Sequence, residues 1–249
     1  MPQCQIFTND EIASFRHGGK ILRACLDHVT PQVVPGITTK ELDVIAEEFI
    51  LSHDGAKPAF KGYHGFPGTL CTSVNEECVH GIPGDRVLEE GDIIAVDCGV
   101  LYDELYTDAC VTVPVGAISD DAQRLLDVTQ EALAEIVAML KGGVQVGDIS
   151  STVQQYVEAR DFAAVRSLTG HGLGRTLHGY PDSPNVGEAG TGAVIPAGTV
   201  IAVEPIVSAG ADSVQSAGDD WTLSIRDGGL SAHFEHTVLV TEGGCDIIA

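Results

Sequence analysis

The sequence predicts an α+β fold made of two related halves, and three observations predict it. Amphipathic helical segments and β-rich segments follow one another as helices, strands, helices, strands. Three strand-associated motifs occur twice, in the same order. No Pro-, Ser- or Gly-rich linker separates the copies, so residues 1–249 are expected to form one domain with halves near 1–117 and 118–249.

Taken in order, a first helix is expected over 9–28, where Thr8 or Asn9 can cap the free N–H groups. A second is expected over 38–54, because Leu42, Ile45, Ala46 and Phe49 fall on one face. Strands then fill 68–113. A second helix pair is expected over 120–141 and 148–160, followed by strands from 168 to 248. Gly36 and Gly147 each precede the second helix of a pair. The duplicated motifs lie in the strand regions. Gly91-Asp-Ile-Ile-Ala-Val-Asp97 matches Gly198-Thr-Val-Ile-Ala-Val-Glu204. Asp108-x-x-Val111-x-Val113 matches Glu235-x-x-Val238-x-Val240, and His80-Gly-Ile-Pro83 matches His178-Gly-Tyr-Pro181. A pseudo-twofold axis between the halves follows.

Composition narrows the function. With 36 acidic against 13 basic residues and a net charge of −23, the surface would repel a phosphate backbone, so direct DNA binding is not expected. The longest apolar stretch, 194–203, is broken by Pro196 and is far too short to span a bilayer. The N-terminal segment has no basic region followed by an apolar run, which points to a cytoplasmic protein. Seven cysteines without a CxxC pair then read as reduced thiols. Cys98 and Cys110, each near an aspartate, are expected to face away from it across a pleated strand.

Four carboxylates stand in unusual places. Asp97 ends the buried-strand sequence Ile93-Ile-Ala-Val96, and Glu204 ends Val200-Ile-Ala-Val203; Asp108 and Glu235 each open an apolar strand. Each alone could be a surface residue or an ion-pair partner. The duplication, however, carries an acid to both places in both halves, and cationic partners are scarce. If the turn around Tyr102-Asp103-Glu104 is tight, Asp97 and Asp108 are near cross-strand neighbours, with Glu204 and Glu235 facing them across the axis. Such a group is tolerable around one divalent cation and more naturally two. His171, in the Gly-rich Thr169-Gly-His-Gly-Leu-Gly174, adds a nitrogen donor, and the mixture suits Mn²⁺, Fe²⁺, Co²⁺ or Zn²⁺. Two ions about 3.5–4 Å apart can turn a bridging water into a hydroxide nucleophile. His80 and His178 would then polarise the carbonyl and accompany proton transfer.

Six segments carry a resemblance: Gly62-Tyr-His-Gly-Phe-Pro67, Cys71-Thr-Ser-Val-Asn-Glu76, His80-Gly-Ile-Pro83, Thr169-Gly-His-Gly-Leu-Gly174, Val203-Glu-Pro-Ile206 and Ser231-Ala-His-Phe-Glu-His-Thr237. Together they resemble the type I methionine aminopeptidases over nearly the whole chain. The resemblance implies the pita-bread fold, a curved antiparallel sheet backed by two helix pairs. It also implies metal-dependent removal of the initiator methionine from nascent proteins with a small second residue. Asp97, Asp108, His171, Glu204 and Glu235 would bind metal, with Glu204 doubling as a proton shuttle. His80 and His178 would contact the scissile peptide, and Tyr63, Phe66 and Trp221 would wall the methionine pocket. Asn75 and Ser231 match a region where some members hold a monovalent cation. Phe60 stands where many bacterial members have cysteine, and Leu177 where many have an aromatic residue. A monomer is implied, with transient ribosome association that the acidic surface does nothing to help. The resemblance further implies that Met1, followed by Pro2, is removable by the protein itself. The rival readings are a prolidase or aminopeptidase P-like enzyme, whose usual extra N-terminal domain is not seen here, and a binding protein on this fold that has lost its metals.

Overall fold

The computed structural model describes residues 3–249; Met1 and Pro2, on which the self-processing expectation falls, lie outside the described residues. Among the described residues there are four α-helices, α1 (Asn9–Val29), α2 (Thr39–Leu51), α3 (Asp120–Met139) and α4 (Val146–Glu158). Thr8 caps α1 in a reciprocal arrangement, its hydroxyl accepting from Glu11 N (3.3 Å) while the Glu11 carboxylate accepts from Thr8 N (2.8 Å). Thr38 and Glu41 repeat this at α2, and Ser119 caps α3.

Two boundaries differ from expectation. Helix α2 stops at Leu51, since Ser52 and Gly55 (φ 82°) turn the chain into the short strand Ala56–Pro58, which the sequence reading missed. Helix α4 starts at Val146 because Asp148 is three residues inside it, its carboxylate accepting from Gln145 N at 2.9 Å. Gly147 is therefore in the first turn of α4, whereas Gly36 (φ 99°) does precede α2.

The strands pair antiparallel throughout. In the first half, Ile93–Tyr102 pairs with Leu70–Val74, Ala56–Pro58 and Leu105–Pro114. In the second, Val200–Val203 lies between His236–Val240 and Thr169–Gly172, with Cys245–Ile247 and Gly179–Pro184 outside them. Ser231–His233, Ile206–Ser208 and Ala163–Ala164 form one small sheet; Glu77–Val79, Leu223–Ile225 and Val214–Ser216 form another. The duplication is visible in the backbone, since Gly91 and Gly198 both take positive φ (100° and 88°) just before matching strands.

Alternation along each strand separates a helix face from an open face. Val96, Cys98 and Val100 pack with Leu22, Leu26 and Leu42 of α1 and α2. Ile201 and Val203 pack with Leu125, Ile136 and Val153 of α3 and α4. Asp97 and Ala202, lying between these residues, point to the open side. The halves meet along a seam in which three residue pairs face one another. Asp108 N donates to Thr237 Oγ1 (2.8 Å), which donates back to Asp108 O (2.6 Å). Glu235 N donates to Cys110 O (2.9 Å). His233 N donates to Thr112 Oγ1 (2.9 Å), which donates back to His233 O (2.7 Å). One threonine from each half thus clasps the other half's backbone, and the clasped residues carry the site.

Candidate metal centre

Asp97 and Asp108 sit on the hairpin Ile93–Tyr102/Leu105–Pro114, whose two-residue turn holds Asp103 and Glu104 at φ 50° and 61°. In this register Asp97 faces Cys110 and Asp108 faces Gly99, which makes the two aspartates diagonal neighbours as expected. Cys98 does face the helices. Cys110 does not: it is two residues from Asp108, shares its face, and feels the charge of Asp97. The expectation that it would point away ignored the period of two.

In the second half Val203 faces His236, a register that carries Glu204 towards Glu235. His171 comes from Thr169–Gly172, opposite Ala202. The glycines around it serve neighbouring backbone and side chains. A Cβ on Gly170 would meet Ala202 O at 2.6 Å, and one on Gly174 would meet the Phe7 ring. His171 Nδ1 lies 3.2 Å from Gly172 O, a group that can only accept. The proton is therefore on Nδ1, and the Nε2 lone pair is left facing Glu204 Oε1 (3.5 Å) and Asp108 Oδ2 (4.0 Å).

All four carboxylates and His171 line one cavity of about 350 Å³. Ligand atoms of Asp108, His171 and Glu235 lie within 4.8 Å of one another. Burial raises the Asp97 carboxyl to about 7, and raises Asp108, Glu204 and Glu235 well above the usual carboxylate range, with neighbouring acids adding to each of these three. Asp97 Oδ1 and Asp108 Oδ1 are buried with no hydrogen-bond partner among the described residues. Buried acids crowded in this way are what a divalent cation relieves, and a nitrogen lone pair aimed among them completes a donor set. The residues fit metal.

One further side chain belongs here that the sequence reading quoted but gave no role. His233 is 3% exposed, and its Nε2 has no hydrogen-bond partner among the described residues while lying 3.5 Å from Glu204 Oε2 and 3.8 Å from Glu235 Oε2. Burial, followed by His80 and His171, lowers its pKa to about 3, so it stays neutral. His233 ends the strand Ser231–His233, two residues before Glu235 and across a break from His236–Val240, so no local pattern marks its Nε2 as facing the carboxylates.

His80 and His178 reach the same cavity by different local routes. His80 follows the strand Glu77–Val79 with φ 60°, whereas His178 precedes Gly179–Pro184. Their sequence match is thus not a local structural equivalence. Burial and then His178 lower His80 to about 4; His178 is lowered by burial and then His64. Both are neutral at pH 7. The outer wall is aromatic. Phe66 and Trp221 meet edge to face at 5.1 Å, and the Tyr63 hydroxyl is 3.3 Å from His178 Nδ1. Phe60 lies over Gly99, where a Cβ would come within 2.6 Å of its ring, and Leu177 is buried beside it. The stretch after Pro181, which the sequence left unplaced, continues the strand to Pro184, and Asp148 then accepts from Gly190 N to fasten it over α4.

An acid-rich, nitrogen-poor cluster at the end of an apolar cavity, on duplicated antiparallel strands, defines a divalent-metal hydrolase. The chain belongs to metallopeptidase family M24, whose profile matches residues 13–242. It is 46% identical over 241 residues to methionine aminopeptidase 1 of Bacillus subtilis, covering 97% of each chain. The crystal structure of methionine aminopeptidase from Thermotoga maritima superposes with a TM-score of 0.97 at 42% identity, covering 99% of each chain. Prolidase from Pyrococcus furiosus shares the fold alone, at TM-score 0.80 and 22% identity, with 64% of that chain covered.

Proposed function

We propose that this chain is a methionine aminopeptidase that removes the initiator methionine from nascent proteins with a small second residue. The observation that carries the reading is one cavity with buried carboxylates at its floor and Tyr63, Phe66, Trp221 and Phe60 on its walls. An aromatic slot suits a flexible thioether, and a charged floor beside it suits the peptide bond that follows.

In this reading Asp97, Asp108, His171, Glu204 and Glu235 hold two divalent cations, drawn from Mn²⁺, Fe²⁺, Co²⁺ and Zn²⁺. Such ions polarise a carbonyl and acidify water. Glu204 carries a proton from the attacking water to the leaving amine, its oxygens lying between His171 and His233. His178 and His80, both neutral, hydrogen-bond the scissile peptide from above. A monovalent cation would be held near Asn75 and Ser231, whose main chains meet where Ser231 N donates to Asn75 O at 2.8 Å. Residues 1–249 work as one catalytic domain, because the ligands come from both halves. The protein acts as a cytoplasmic monomer that meets chains as they leave the ribosome. Among the described residues no helix is long and apolar enough to cross a membrane.

The test is hydrolysis of Met-Ala-Ser by chelated protein titrated separately with the four ions, beside an Ala-Pro dipeptide. Metal-restored release of methionine is expected. Cleavage of Ala-Pro without Met-Ala-Ser would transfer the chain to the prolidase reading, and no metal-dependent cleavage of either would leave a binding protein.

A further inference from the structure

Trp221 is the only tryptophan in the chain, and it reaches the cavity from a four-residue loop, 218–221, closed by Ala217 N donating to Thr222 O at 2.9 Å. The loop has little apolar packing of its own; residues 217–220 are exposed, and Gly218 and Asp220 take positive φ (95° and 70°). Two side chains outside the cavity hold it: Ser216 Oγ accepts from Gly218 N (3.1 Å), and Asp219 makes the larger set of bonds, those next to Trp221. Asp219 Oδ1 accepts from Trp221 N (3.0 Å) and Thr222 N (2.7 Å), while Oδ2 accepts from the Thr222 hydroxyl (2.6 Å). That hydroxyl is also 3.4 Å from His80 O, and the strand after it pairs Leu223 with Val79, the residue before His80. Trp221 faces Phe66 at 5.1 Å and His80 at 6.4 Å between ring centroids. The Asp219 carboxylate therefore gathers three donors and fixes the path of the chain at the point where the indole turns inward.

We propose that Asp219 is a positioning residue for substrate binding: it holds the 218–221 loop so that Trp221 forms a standing wall of the side-chain pocket. Asp219 itself touches no substrate. The wall's function rests on the methionine-pocket reading given above. A pre-ordered wall means that binding does not have to order the loop, so its loss appears as weaker binding rather than slower chemistry. Asn in place of Asp keeps an acceptor for the two backbone N–H groups and offers an amide to the Thr222 hydroxyl. Ala offers nothing.

The experiment uses Asp219→Ala, Asp219→Asn and Trp221→Leu in the full chain. With a single tryptophan, emission of the chelated protein reports on this loop without any turnover. Asp219→Ala is expected to red-shift that emission and to increase its quenching by acrylamide. In the metal-loaded protein KM for Met-Ala-Ser should rise about three- to tenfold, with kcat within about twofold. Asp219→Asn should restore most of both readouts, and thermal unfolding of each variant checks that the fold is intact. If Trp221→Leu raises KM while Asp219→Ala changes neither emission nor KM, the positioning role is wrong and the pocket reading stands. If Trp221→Leu leaves KM untouched, the pocket reading itself has failed, whatever Asp219 does to emission. A fall in kcat alone for Asp219→Ala would overturn the proposal by placing its effect on His80.

Discussion

Thr237→Val removes the clasp that holds Asp108 across the seam while keeping nearly the same side-chain shape. Thr237 is fully buried, and its hydroxyl both accepts from Asp108 N (2.8 Å) and donates to Asp108 O (2.6 Å). Valine leaves that N–H and C=O buried and unpaired, at about 1–3 kcal/mol each, so about 2–6 kcal/mol is expected in all. Thr237→Ser keeps the hydroxyl and loses one methyl, a cost of about 1 kcal/mol. Urea unfolding of chelated protein measures both. The two variants must differ by more than about 1 kcal/mol, with valine the weaker. Should they agree within about 0.5 kcal/mol, the threonine does not clasp the seam and the argument from the paired hydrogen bonds is refuted. Calorimetric titration should also show weaker metal binding in the valine variant, because Asp108 loses its fixed backbone.

Other outcomes follow from the same geometry. Asp97→Ala should abolish hydrolysis and lower the number of Mn²⁺ ions bound, read by calorimetry; full stoichiometry would remove Asp97 from the ligand set. His233→Ala should weaken metal affinity by about tenfold with His233→Gln recovering part of it, since Gln can still donate towards Glu204; equal affinities would show that His233 is a spectator. Gly99→Ala places a methyl within 2.6 Å of Phe60 and 2.8 Å of Ala59 Cβ, so KM for methionyl peptides should rise as Phe60 is driven into the cavity, unless the variant leaves KM unchanged and the pocket lies elsewhere. For His80, the folded value of about 4 lies below the ordinary 6.5. Between these values the unfolded chain binds the extra proton, so this group's contribution to stability rises with pH across the window and is lost as pH falls through it. Proton NMR of the His80 ring should place its midpoint near 4, and a midpoint above 6 would mean that the imidazole is not desolvated.

Much of the fold was legible because each element obeys a local rule. The pairs Thr8/Glu11 and Thr38/Glu41 mark helix starts three residues apart, and apolar runs such as Ile93–Val96 can only be buried strands. The carboxylates were legible as exceptions, charges at the ends of runs that should have none. What was missed depends on tertiary contact. Ala56–Pro58 is a strand only because Val100–Tyr102 offers it a partner. Asp148 reads equally well as a cap or as the third helical residue until Gln145 N is placed beside it. Cys110 pairs with Asp97 and stands two residues from Asp108, so the pleat keeps it on their face. His233 looked like one more polar residue in a motif, since nothing local announces that its Nε2 will face two carboxylates from the far side of the strand junction. The glycines flanking His171 signalled close approach correctly, but only the fold tells what approaches.

The line where the halves meet has a consequence for how the protein fails. Asp97 and Asp108 come from one side of it, and His171, Glu204 and Glu235 from the other, so neither side alone would supply the proposed ligand set. In the proposed reading, ions bound there would act as rivets through the molecule's midline, adding about 2.7 kcal/mol when present at a hundred times their dissociation constant. Starvation for metal would thus do more than idle the chemistry. It would loosen the midline first, exposing the Asp108 and Glu235 amides to hydrogen exchange while the outer helices still hold.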